Sequence, residues 1–156
     1  MKLKLTSLII ALTITFTYWG CTHKCCVLEP QNVMFAFKND KEWGAGASLA
    51  KVNIGTDSIF VIGQTDLENI TIKLKKVNNI YTLASAEYYV TAGHDTPVRR
   101  YTLDLTQSNT VTINVDNGQH IEGVFNLNFT QYFTNQAGTY PTIVSFKNGN
   151  FRASWQ

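Results

Sequence analysis

From residue 33 to residue 155, apolar and polar side chains alternate with a period of two in short runs rich in Val, Ile, Thr, Phe and Tyr, with Asn and Gly between the runs. A period of two sends successive side chains to opposite faces, which is the signature of half-buried strands. No amphipathic stretch with helical spacing lies between them, so parallel α/β folds are excluded. The expected fold is all-β: a single antiparallel β-sandwich or flattened barrel of about ten strands with Greek-key or meander connections. With 44% hydrophobic and only 15% charged residues, disordered and coiled-coil alternatives fall away.

Turn chemistry makes the pattern testable. At Asn148-Gly149 a two-residue hairpin pairs Lys147 with Asn150, Phe146 with Phe151 and Val144 with Ala153. Asn-Gly is the strongest short signal for such a turn. One face then carries Thr142, Val144, Phe146, Phe151, Ala153 and Trp155, and the other carries Ser145, Lys147, Asn150, Arg152 and Ser154. At Asn78-Asn79 the same geometry sets Leu74 opposite Leu83 and Lys75 opposite Thr82, with Ile70, Ile72 and Leu74 on one face. At Asp116-Asn117-Gly118 a three-residue loop with Gly118 left-handed pairs Ile113 with Ile121, and directs Ile121, Gly123, Phe125, Leu127 and Phe129 inward. Further strands are expected at 33–38, 48–54, 58–63, 87–90 and 99–105.

Ahead of these runs the chain has a different character. Lys2 and Lys4 precede an apolar stretch over residues 5–19, the pattern of a secretory signal. Fifteen residues in a helix reach about 22 Å, short of the roughly 30 Å needed to span a bilayer. The stretch ends in Tyr18-Trp19-Gly20-Cys21, which resembles a bacterial lipobox, with Gly20 and Cys21 matching and Tyr18 and Trp19 departing from it. Residues 1–20 are therefore expected to be a signal peptide, 21–32 a lipidated tether on Cys21, and 33–156 the β domain. Cleavage removes Lys2 and Lys4 and leaves 11 basic against 11 acidic residues. A neutral domain gives no electrostatic support for nucleic acid. The partner implied instead is a membrane reached through the lipid, with Thr22 in place of an inner-membrane retention aspartate. The expected location is the outer membrane, periplasm-facing.

Catalytic motifs are missing: the sequence has no G-x-S-x-G, H-E-x-x-H, P-loop or G-x-G-x-x-G. No cofactor and no metal are expected. Cys21, His23, Cys25 and Cys26 lack the paired spacing of a zinc ribbon. His120 and Glu122 share one strand face, and His94-Asp95 lies in a turn without a marked nucleophile; the plainer reading of each is a solvated polar segment. The binding candidates are Trp43, after the turn Asn39-Asp40, and Tyr132, Phe133 and Tyr140, in the connection expected over 130–141. Exposed aromatic rings stack on sugars or pack on a protein partner. The plainer reading is that they close the ends of the core.

Phe35-Ala36-Phe37-Lys38-Asn39-Asp40-Lys41-Glu42-Trp43, the pair Val111-Thr112-Ile113-Asn114-Val115-Asp116 and Ile121-Glu122-Gly123-Val124-Phe125-Asn126-Leu127, and the closing Asn148-Gly149-Asn150-Phe151 together span most of the domain. In this order they resemble a family of uncharacterised Bacteroidota lipoproteins, small single β domains behind a lipobox. The resemblance implies an anchored β domain and supplies no catalytic residues. The expected function is thus a lipid-anchored, non-enzymatic binding or accessory module of the cell envelope, with a protein or glycan partner. Its rivals are a glycan-acting hydrolase using Glu42, Glu87 or Glu122, and a small-ligand carrier with a hollow barrel.

Overall fold

The computed structural model describes residues 31–51, 57–93, 96–135 and 140–155. Nine strands follow one another: β1 (Val33–Lys38), β2 (Lys41–Lys51), β3 (Ser58–Gln64), β4 (Glu68–Val77), β5 (Ile80–Thr91), β6 (Pro97–Leu103), β7 (Thr110–Asp116), β8 (His120–Thr134) and β9 (Ile143–Ser154). There is no helix among the described residues. Asn32–Gln156 forms one unit, apart from Met1–Gln31. The expected signal segment, Cys21, Cys25 and Cys26, and the His94-Asp95 turn lie outside the described residues.

Each strand pairs antiparallel with its neighbours, in the order β6-β5-β4-β3-β2-β1-β9-β8-β7. β6 also pairs with β8, which closes eight strands into a ring. β8 carries both β6 and β7: Ile121–Asn126 faces β7 and Phe129–Thr134 faces β6. β6 and β7 therefore behave as one long strand interrupted at 104–109, where Asn109 accepts the Asn128 N–H (2.7 Å) and donates to the Asp104 carbonyl (2.8 Å). The fold is all-β, one sheet curled on itself, as expected, with nine strands among the described residues.

Two expected turns are as read. Asn78 and Asn79 have φ of 50° and 64°, and Leu74 pairs with Leu83 and Lys75 with Thr82. Asn39 and Asp40 have φ of 48° and 64°, closing β1 onto β2. Asn tolerates this left-handed region better than most residues, and the paired positive φ values match the twist of a tight hairpin.

The Asn148-Gly149 hairpin is not formed. β9 runs straight through it, and Asn148, at φ 50°, is an extra residue bulged between two neighbours. A two-residue step along β1 (Phe35 to Phe37) matches a three-residue step along β9 (Asn150 to Lys147), and a two-residue step along β8 (Phe125 to Leu127) matches a three-residue step as well (Gly149 to Phe146). A left-handed residue serves a type I′ turn and a bulge equally, so the sequence fixes the positive φ and leaves the chain direction open. Apart from Thr142, which precedes β9 and is exposed, the faces nevertheless sort as expected, because one inserted residue changes the inward phase just as a reversal does. Val144, Phe146, Phe151 and Ala153 are all buried.

The β7–β8 register also differs from expectation. Gly118 is left-handed (φ 81°), but the loop is Asn117-Gly118-Gln119 and Ile113 faces Gly123. Asn117 Oδ1 accepts the N–H groups of Gln119 and His120, both at 2.9 Å, and Asp116 Oδ1 accepts that of Gly118 at 3.1 Å. These Asx turns set the loop later along the chain than the apolar pattern implies.

Inside the ring, aromatic side chains pack in a connected set. Phe146 meets Trp43 at 5.1 Å, Tyr88 at 5.2 Å and Phe129 at 5.8 Å between centroids, mostly edge to face. Such pairs add about 0.5–1.5 kcal/mol each beyond area burial. Leu127, Ile70, Ile72, Val61 and Met34 complete the filling. At one end Trp155 bridges to Leu49 and donates to the Gly118 carbonyl (3.1 Å).

A Cβ on Gly149 would enter the Phe125 ring. Gly149→Ala is expected to destabilise by about 1–3 kcal/mol through overpacking, and Asn148→Val by about 1–2 kcal/mol through the left-handed backbone; urea unfolding measures both. A second prediction concerns Asp116, which accepts from Lys76 (3.0 Å) and Tyr81 (3.1 Å) and ties β7 to the β4–β5 hairpin. The Lys76 bond above all holds its carboxyl below the usual value. A depressed carboxylate contributes stability above its unfolded pKa and loses it as pH falls through the folded one. Asp116→Asn should therefore unfold more easily than wild type at pH 7, and the gap should narrow as pH falls below about 4.

Candidate functional site

The chain directions bring the end of β1, the starts of β2, β4, β6 and β9, and the ends of β5 and β8 to one end of the ring. Here the interior turns polar. Glu68 opens β4, where Thr65 Oγ1 accepts its N–H at 2.9 Å in a hydroxyl-capped turn. Its carboxylate accepts from Trp43 Nε1 at 2.6 Å through one oxygen and from Lys38 Nζ through the other. Lys38 also donates to the Tyr88 hydroxyl (3.4 Å) and lies over that ring, 5.8 Å from its centroid. Both oxygens of Glu68 are thus occupied.

Arg99 is different. In β6 the residues Arg99, Tyr101 and Leu103 share one phase and are buried, so an arginine stands in an inward position. It is 1% exposed, and among the described residues neither Nη1 nor Nη2 has a hydrogen-bond partner. Its guanidinium lies against the Tyr140 ring, 3.0 Å from the centroid. Tyr140 itself is 52% exposed. Next to it, the Pro141 carbonyl accepts from the Tyr101 hydroxyl (3.1 Å), which ties the β8–β9 connection to the barrel wall.

The two tyrosines beside these charges stay protonated. Burial, aided by the negative charge of Glu68, pushes the Tyr88 hydroxyl far above its ordinary value. Burial raises Tyr101 as well, against the opposing pull of Arg99. The end of the barrel therefore holds one neutralised ion pair, two neutral phenols and one cation without a counter-ion among the described residues. Cation–π contact offsets part of its desolvation, but a buried charge without charge-assisted hydrogen bonds costs several kcal/mol.

The four aromatic candidates do not come together. Trp43 is in strand β2, buried in the core beside Glu68, and not on an exposed loop. Tyr132 and Phe133 are exposed but belong to β8, which runs on to Thr134 and takes up part of the expected 130–141 connection. Tyr132 lies on the outer wall, where it donates to Glu87 (2.6 Å) beside Arg100, itself 3.5 Å from Glu87. Only Tyr140 and Trp43 belong to the polar end. Alternation in Pro97–Leu103 already carried the missed signal, since Arg99 is in phase with Tyr101 and Leu103 while Arg100 is not.

Glu42, Glu87 and Glu122 stand on β2, β5 and β8, no two of which are adjacent in the ring. Glu122 is bound by Arg152 and, at 3.3 Å, by His120, whose Nδ1 faces Asn117 at 3.0 Å. Among the described residues no three His, Cys, Asp or Glu side chains gather as metal ligands. No protein-family model, curated protein or solved structure matches the chain.

Removing the uncompensated charge should relieve the fold. Arg99→Met is expected to raise stability by about 1–3 kcal/mol, as apolar replacements of poorly compensated buried charges do. A lower urea midpoint for this variant would contradict the description of Arg99 as unpaired.

Proposed function

We propose that this protein is a lipid-anchored, non-enzymatic binding module of the cell envelope, held to the outer membrane through Cys21, which takes a small ligand at the Arg99 end of its barrel. The observation that carries the binding reading is the buried guanidinium with free donors beneath a half-exposed tyrosine. A fold that retains such a group spends stability on it, and costs of this kind concentrate at functional sites. The separation of Glu42, Glu87 and Glu122 on non-adjacent strands favours binding over two-carboxylate hydrolysis, which needs the pair within about 5–10 Å. The aromatic filling of the ring favours a ligand held at the end over one enclosed along the axis. For the anchor, the support is the basic and apolar leader ending in Gly20-Cys21 and its resemblance to the Bacteroidota lipoproteins. Several acyl chains, at about 0.8 kcal/mol per buried CH₂, give firm attachment.

Two measurements test the two parts. Cys21→Ala should move the protein from the membrane fraction to the soluble one, and unchanged retention would reject the anchor. For the binding end, a Trp155→Phe background leaves Trp43 as the reporter in the β domain. A panel of neutral, cationic and anionic small molecules should then contain members that change its fluorescence, and a wholly silent panel would reject a ligand at this end.

A further inference from the structure

We propose that Arg99 is an anion receptor, and that the ligand taken at this end of the barrel carries a single carboxylate. The inference rests on the binding reading above and adds the charge class of the ligand and the atoms that read it.

The geometry of the guanidinium is the first ground. Its N–H donors lie in its plane, and its flat face is what Tyr140 covers. Stacking and in-plane hydrogen bonding are compatible, which is why arginine recognises planar anions in aromatic surroundings. Nη1 and Nη2 are both unpartnered among the described residues. Two adjacent free donors match the two oxygens of one carboxylate in a forked contact.

Charge balance supplies the second ground. Among the described residues, Glu68, Arg99 and Tyr140 are the neighbours whose charge acts on Tyr88 and Tyr101 at this end. Lys38 and Glu68 cancel one another, and Tyr88 and Tyr101 are held neutral by burial. Among the described residues, the positive charge of Arg99 is left over. A monoanion cancels it, whereas a dianion leaves an excess negative charge in a poorly polarisable interior, where uncompensated charge is most costly. Glu68 makes no hydrogen bond to the Nη atoms of Arg99, its oxygens being turned to Trp43 and Lys38.

The surroundings set the body of the ligand. Tyr140 is half-exposed and Tyr101 presents its ring on the same inward phase as Arg99. A flat or short apolar group attached to the carboxylate lies against these rings. The carboxylate takes the two in-plane donors while Tyr140 stays on the guanidinium face, so the ligand adds two charge-assisted hydrogen bonds to the existing stack. The chemical class is thus a small monocarboxylate with an apolar or aromatic body.

Matched acids and alcohols test this directly. The protein is melted with benzoate and hexanoate, with benzyl alcohol and 1-hexanol at equal concentration, and with inorganic phosphate. The two carboxylates should raise the melting temperature while the alcohols and phosphate leave it unchanged. Titration of benzoate should be weakened about 10- to 100-fold in Arg99→Met, the usual loss for a buried charge-assisted contact. Arg99→Lys keeps the charge but lacks the fork and should also bind more weakly than wild type, and it stands in should Arg99→Met not fold. Alcohols that bind as tightly as the acids would overturn the carboxylate inference and leave the binding reading in place. Stabilisation by phosphate alone would overturn it too, as would benzoate binding that is unaffected by both Arg99 substitutions.

Discussion

Closure of the sheet depends on β8, the longest described strand, which holds two partners along the same edge. Its fifteen residues pair with β9 on one side and with β7 and then β6 on the other. The β6 pairing is what turns an open nine-stranded sheet into a ring, and an open sheet exposes unpaired backbone groups that recruit other chains. The interior arrangement follows from that closure. Phe129 of β8 reaches Tyr88 of β5, 6.1 Å between centroids, because the ring brings these non-adjacent strands around a common centre.

Much of this was legible in the sequence, and the failures share one physical origin. Positive-φ positions were legible at Asn78, Asn79, Asn148 and Gly118, since few residues adopt that conformation without strain. Facing was legible too, because a one-residue error would put Lys147 or Arg152 in the core in place of Phe146 or Phe151. Chain direction was not. A left-handed Asn followed by Gly is compatible with reversal or with a bulge, and what decides between them is the presence of β1 and β8 on either side of β9, a long-range fact. Local hydrogen bonding overrode apolar matching in the same way at Asp116 and Asn117.

The candidate site was less legible than the fold. Aromatic residues drew attention because they are rare and large, yet Trp43 serves the core and Tyr132 an outer-wall contact with Glu87. What marks the polar end is a mismatch between residue type and position: an arginine in the phase of Tyr101 and Leu103. Two consecutive arginines in one strand must point opposite ways, so one of Arg99 and Arg100 had to face inward. Knowing which required the neighbouring inward residues to be weighed together, and knowing that it lacks a partner required Glu68 to be seen already engaged.

Asn148 gives β9 a change of parity. Before it the even-numbered side chains look inward, and after it the odd-numbered ones do. The two halves of the strand are therefore locked in opposite phases by a single residue, and that lock is shared by the strands on both sides. A deletion of one residue at this place would not simply shorten a loop, as it would at the tip of a hairpin. It would restore a uniform phase and force either the Val144 and Phe146 half or the Phe151 and Ala153 half out into water. The continuity of the barrel wall makes this short polar segment one of the least deletable points in the chain.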